Sequence, residues 1–193
     1  MSTNPHPGRI YPTGYRLPRK NVLLISCMDL RLIDEIVSFM GHDNLTNRYD
    51  QFILAGSSLG ACFESLEDDY DVDKTIDFGN FKDWHAALFH HIKLAIKLHE
   101  VQDIYILEHR QCGAYKAFLK ENVFSDDQDE KNGHHKFAVQ LSNDIKNHAD
   151  EELRNLHVHC FLMDLRGNVE LLHSTPNEDE LIGLNLSAMP DKV

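Results

Sequence analysis

Two short segments carry residues whose types and spacing can do chemistry. The first is Ser26-Cys27-Met28-Asp29-Leu30-Arg31 and the second is His109-Arg110-Gln111-Cys112-Gly113-Ala114. Together they offer two thiols and an imidazole, a soft donor set that suits zinc. Three protein ligands leave one coordination position open, as in catalytic rather than structural zinc sites. Zinc lowers the pKa of bound water to around 7 in favourable sites, supplying hydroxide at neutral pH. Two thiolates cancel the charge of the ion and weaken its Lewis acidity, so surrounding hydrogen bonds must assist. Asp29, two residues past Cys27, is placed to accept a hydrogen bond from such a hydroxide. Arg31 can hold Asp29 ionised through two parallel hydrogen bonds. In the alternative arrangement Asp29 itself fills the fourth position and closes the site.

For these residues to meet, the chain must bring distant segments together. Each key segment directly follows a short apolar run. Asn21–Ser26 and Asp103–Leu107 read as strands buried on both faces, the second delivering Glu108 and His109 at its end. Asp50–Ala55 and Leu156–Met163 read as further strands, and Arg166-Gly167-Asn168 turns the chain into a last strand, Val169–Leu172. Between them lie helical patterns: from Asp29 to about Gly41, from Trp84 to His99 with Asp83 as N-cap, from Gly113 to Lys120, and from Lys136 to about Asn155. Gly56–Gly60 reads as a loop without the spacing or lysine of a phosphate loop. Residues 121–135 read as an acidic loop, and residues 64–83 as a solvated acidic segment that fits a calcium loop poorly.

Alternating strands and helices predict an α/β fold: a central, mostly parallel β-sheet flanked by helices, with a late antiparallel edge hairpin. In such sheets functional groups gather at the carboxyl ends of strands, where both segments fall. Residues 1–20 hold four prolines and four basic residues, Arg9, Arg16, Arg19 and Lys20, and no acid. They read as an extended arm, either a tail or a strap across the acidic body or a partner subunit. Residues 21–193 read as one domain.

At 193 residues the chain can bury a substantial core. Its formal net charge of -12 argues against a nucleic-acid partner and against anionic membranes. No apolar run approaches the ~20 residues of a membrane span, and residues 1–20 lack the apolar stretch of a secretory signal, so a cytoplasmic protein is expected. The four cysteines then read as metal ligands or buried thiols rather than disulfides. Cys62 and Cys160 are expected in the core. His157 and His159 share a strand face, read as facing solvent or an interface. His90-His91 point apart on a helix and chelate poorly. The loop pair His134-His135 can carry protons.

Cys27-x-Asp29-x-Arg31 followed far downstream by His109-x-x-Cys112-Gly113 resembles the signature of the beta-class carbonic anhydrases. The resemblance extends over about residues 20–172. Ala55-Gly56 matches the Ala-Gly pair after that family's second strand, and Asp164-Leu165-x-Gly167 matches its late hairpin. It departs at Ile53-Leu54, where the family usually carries Arg-Asn, and in the acidic stretch 64–83. The resemblance implies that Cys27, His109 and Cys112 bind one zinc ion per chain, with Asp29 and Arg31 as the catalytic dyad. It implies reversible hydration of carbon dioxide to bicarbonate and a proton by zinc-bound hydroxide, in a homodimer or dimer of dimers. The alternatives are a hydrolase of carbon disulfide or carbonyl sulfide, and a catalytically weak zinc-binding regulatory protein on the same fold.

Overall fold

A computed structural model describes residues 8–62, 81–119 and 124–175. The acidic stretch therefore lies outside the described residues over 64–80, as do residues 1–7 of the arm, residues 120–123 and the tail from 176.

Five strands form one sheet in the order β2-β1-β3-β4-β5. They are β1 (Val22–Ser26), β2 (Tyr49–Ile53), β3 (Asp103–His109), β4 (His157–Met163) and β5 (Val169–Ser174). The pairs β1–β2, β1–β3 and β3–β4 are parallel, and β5 runs antiparallel to β4 at the edge. The apolar runs of β1 and β3 are buried along their whole length because both strands lie inside the sheet with helices on both faces. β2, at the other edge, keeps polar and half-exposed positions.

Alternate side chains feed two separate cores. Leu23, Ile25, Ile104, Ile106, Val158 and Cys160 face a layer that includes α3 (Phe81–His99) and α5 (Asp127–Lys146). Val22, Leu24, Tyr105, Leu107, Phe161 and Met163 face α1 (Ile33–His42), with Tyr11 and Tyr15 of the arm packed against them. Residues 9–16 lie across acidic positions of the body. Arg9 pairs with Glu35 at 2.5 Å, Tyr15 donates to Asp43 at 2.6 Å, and Arg16 bonds Asp103 at 2.6 Å.

Several local expectations change. Asp127 to His135 form the first half of α5 rather than a loop. Asp126 caps that helix by accepting from the backbone of Gln128 and Asp129. Asp127, Asp129 and Glu130 then lie favourably in its first turn. The many acids hide a buried stripe, Gly133, His134, Phe137, Ala138, Leu141, Ser142 and Ile145, at helical spacing. α5 stops at Lys146, and the continuation expected to Asn155 is a turn followed by α6 (Glu151–Arg154). Ser58 to Cys62 wind into the short helix α2. Asp83 lies within the first turn of α3 rather than capping it. His159 is buried against Tyr15 and Tyr105, not facing solvent. Cys62 and Cys160 are buried thiols, as expected.

Candidate metal centre

The parallel register sets Ser26 of β1 beside Leu107 of β3, so Cys27 and His109 leave the same end of the sheet. Cys112 is the N-cap of α4 (Gly113–Phe118) and points back to that end. Ligand atoms of Cys27, His109 and Cys112 all lie within 4.8 Å of one another. The two sulfurs are 3.8 Å apart. A tetrahedral ion with bonds of about 2.3 Å to sulfur requires a separation of about 3.8 Å between two thiolates.

The imidazole is oriented as a ligand. His109 Nδ1 lies 3.0 Å from the Arg110 carbonyl, which can only accept, so Nδ1 carries the proton. Nε2 is buried with no hydrogen-bond partner among the described residues and lies among the ligand atoms of the cluster. Among the described residues His134 and His159 also keep a partnerless buried Nε2, and it is the two sulfurs beside His109 that make its nitrogen fit a metal ion. The thiols point the same way. A hydrogen bond from Cys112 pulls the Cys27 thiol far below its ordinary range despite burial, helped by His109 and the Gly56 N–H. Cys112 is pushed up in turn by Cys27 and by burial. Two sulfurs and an imidazole nitrogen form a set able to hold a metal ion, and its softness fits zinc.

Asp29 and Arg31 sit over this cluster. Asp29 caps the 3-10 turn Leu30–Leu32 and accepts from Arg31 N at 3.0 Å. The Arg31 guanidinium grips both carboxylate oxygens, Nε to Oδ1 at 2.9 Å and Nη2 to Oδ2 at 2.5 Å. These bonds hold the Asp29 carboxyl down at about 2. Its Oδ2 lies 3.8 Å from His109 Nε2, yet Asp29 is not a member of the ligand cluster. The carboxylate thus lies beside the donor set and is held by the arginine.

Arg31 also joins the two motifs, since Nη2 reaches the Gln111 carbonyl at 3.2 Å. Gln111 itself takes a left-handed conformation, φ 56°. Its N–H is held by Glu130 at 2.6 Å, and the Arg110 guanidinium spans the Asp127 carbonyl and Glu170. The first turn of α5 thus braces the turn between His109 and Cys112. Sequence reasoning missed Gln111 and Glu130, because the segment around Glu130 reads as a loop. It also placed His134 in a loop as a proton carrier, whereas His134 is fully buried in α5 against Glu108.

A five-stranded sheet in this order, an antiparallel edge pair and a Cys/His/Cys cluster at the carboxyl end define the beta-carbonic anhydrase fold. The single-site mutant structure of the beta-carbonic anhydrase CafD of Aspergillus fumigatus superposes with a TM-score of 0.51 at 13% identity, covering 83% of this chain and 92% of that one. No known protein-family profile matches the sequence. The chain is 30% identical over 161 residues to the uncharacterized protein RC0076 of Rickettsia conorii, which spans 83% of this chain and 76% of that protein. It is 30% identical over 157 residues to an uncharacterized protein of Rickettsia bellii, 81% and 84% of the two chains. The chain belongs to the family of these two rickettsial proteins. Among the described residues no helix is long and apolar enough to cross a membrane.

Proposed function

We propose that this protein is a zinc-dependent carbonic anhydrase, interconverting carbon dioxide and bicarbonate. The observation that carries the reading is the convergence of three soft donors beside a carboxylate kept ionised by a bidentate arginine. Cys27, His109 and Cys112 would hold the zinc ion, which would supply hydroxide at neutral pH. Asp29 keeps a free lone pair on the donor side of its carboxylate and orients the attacking oxygen by accepting its hydrogen bond. Arg31 fixes Asp29 in place through two hydrogen bonds, which would keep the carboxylate off the metal. The Arg31 to Gln111 bond couples that grip to the turn carrying the second motif, so the dyad and two ligands move together.

Apolar side chains crowd the surface beside this site. Leu30 of the 3-10 turn is 81% exposed, and Met28 just before that turn, Ile33 and Val37 of α1 and Ile53 at the end of β2 are also exposed. A patch of that kind favours burial by another protein surface, which supports a homodimer with the sites near the interface. Sedimentation at micromolar concentration tests this, and a persistent monomer refutes it.

The test of activity is stopped-flow hydration of carbon dioxide on protein of measured zinc content, over about pH 6.5 to 9, a window that brackets water activated by zinc. Turnover is expected to rise with pH. Asp29→Asn is expected to keep its zinc and lose turnover by roughly 100-fold, the scale of a misplaced reacting group. Full zinc occupancy with no hydration at any pH refutes the carbonic anhydrase reading and moves the site to another small electrophile, such as carbonyl sulfide.

A further inference from the structure

We infer that Glu108 is a positioning residue for the metal cluster: its buried carboxyl group fastens the strand that leads into His109 to the helix capped by Cys112 and to the α2 segment whose Gly56 N–H contacts Cys27. The inference rests on the metal site proposed above and adds to it residues that neither metal motif includes.

Glu108 directly precedes His109 in β3 and is 1% exposed. Neighbouring strand residues point to opposite faces, so Glu108 enters the layer of α2, α4 and α5 while His109 faces the other way. A carboxylate taken out of water needs donors in place of its hydration shell. Four are supplied. Ser58 gives its N–H at 2.9 Å and its hydroxyl at 2.5 Å to Oε1. Tyr115 gives its hydroxyl at 3.0 Å and His134 its Nδ1 at 2.9 Å to Oε2.

The donors come from places that matter for the metal. Tyr115 lies three residues beyond Cys112 in α4, the helix that Cys112 caps, so its bond to Glu108 bolts that helix to the end of β3. Ser58 opens α2 two residues after Gly56, whose N–H donates to Cys27 Sγ at 3.4 Å. His134 lies one turn along α5 from Glu130, which holds Gln111 N between the other two ligands. One side chain thus fixes the rotation of β3 at His109, the seat of α4 at Cys112 and the turn that contacts Cys27.

Stability alone does not account for such an arrangement. Buried ionic groups replaced by apolar ones of similar volume often leave a fold as stable or more stable. What a directional network adds is fixed geometry, which a cluster of three ligands requires to within fractions of an ångström.

The test compares full-length wild type, Glu108→Gln and Tyr115→Phe. Zinc affinity is read by competition with a chromophoric chelator, and site geometry by the visible and thiolate charge-transfer bands of the cobalt(II) forms. Far-UV circular dichroism establishes which variants are folded. Loss of an outer-shell partner typically weakens metal binding by about 10- to 100-fold. We expect at least about a 10-fold loss for Glu108→Gln, a smaller loss for Tyr115→Phe, and altered cobalt bands in both. Folded variants with wild-type affinity and wild-type bands overturn the inference, because a purely structural Glu108 lowers stability without moving either. If Glu108→Gln does not fold, Tyr115→Phe, which keeps the ring and removes only the hydroxyl, decides by the same two readings. Wild type lacking thiolate–cobalt bands refutes the metal site itself; bands present in wild type and unchanged in the variants refute only the role of Glu108.

Discussion

Gly56→Ala probes how closely the metal cluster depends on backbone conformation. Gly56 sits at φ +80°, a left-handed geometry, and its N–H points at Cys27 Sγ. An alanine there pays about 1–2 kcal/mol for the conformation alone. Its Cβ also arrives 3.2 Å from the Ala114 Cβ and 3.4 Å from the Leu59 Cβ. Ala114 is the second residue of α4, so relief of that contact must shift the helix capped by Cys112. The combined loss is expected at about 2 kcal/mol, measured by urea unfolding with chelator present. Gly56→Asn separates the two contributions, since asparagine tolerates the left-handed region but brings the same Cβ. The expected order of stability is glycine, then asparagine, then alanine. With saturating zinc the gap between glycine and alanine should widen, because a disturbed site gains less from binding. An alanine variant within about 0.5 kcal/mol of wild type, the range of ordinary surface changes, refutes the reasoning.

Two further perturbations address the arm. Arg16→Ala leaves Asp103, whose side chain is fully buried, without its cation. Stranding a buried charge costs about 3–5 kcal/mol, and the partial exposure of Arg16 sets the expectation at the low end, near 3 kcal/mol. Adding Asp103→Asn should restore most of it in urea unfolding, and a single-mutant loss under about 1 kcal/mol contradicts the buried pair. Asp43 is a pH probe. Burial raises its pKa although Tyr15 and Tyr105 both donate to Oδ2, at 2.6 and 2.7 Å. A carboxyl with a raised folded pKa contributes stability below its ordinary value near 3.9 and loses it as pH rises through the folded value. Asp43→Asn should therefore gain on wild type as pH rises from about 3 to 7. A stability difference independent of pH contradicts this.

The inner strands and the meeting of the Cys27, His109 and Cys112 side chains at one end of the sheet were legible in the sequence for the same reason. β1 and β3 are apolar on both faces, which only a doubly covered strand needs, and each runs into a motif of metal-binding residues. The sequence left residues 1–20 as either a tail or a strap; Arg9 and Arg16 pair with Glu35 and Asp103 of the body. What failed was local composition. Residues 127–135 look like a loop because polar residues outnumber apolar ones, yet an acid-rich first turn and a cap at Asp126 are what a helix N-terminus favours. That error concealed Glu130 and His134, so the bracing of Gln111 and of Glu108 was hidden with it. His159 was misread because alternation assigns a face but not what covers it, and Tyr15 of the arm packs against it. The network around Glu108 joins residues 50 and 26 positions apart in sequence through tertiary packing alone, and no spacing rule reports it.

Zinc content is the most direct test of the account. Wild type and Cys112→Ser, both folded by circular dichroism, would be exposed to excess zinc, desalted and analysed for metal and protein. The account predicts about one zinc per chain in wild type and near none after loss of one of three ligands. A full complement of zinc in Cys112→Ser, or a wild type that retains none, contradicts it.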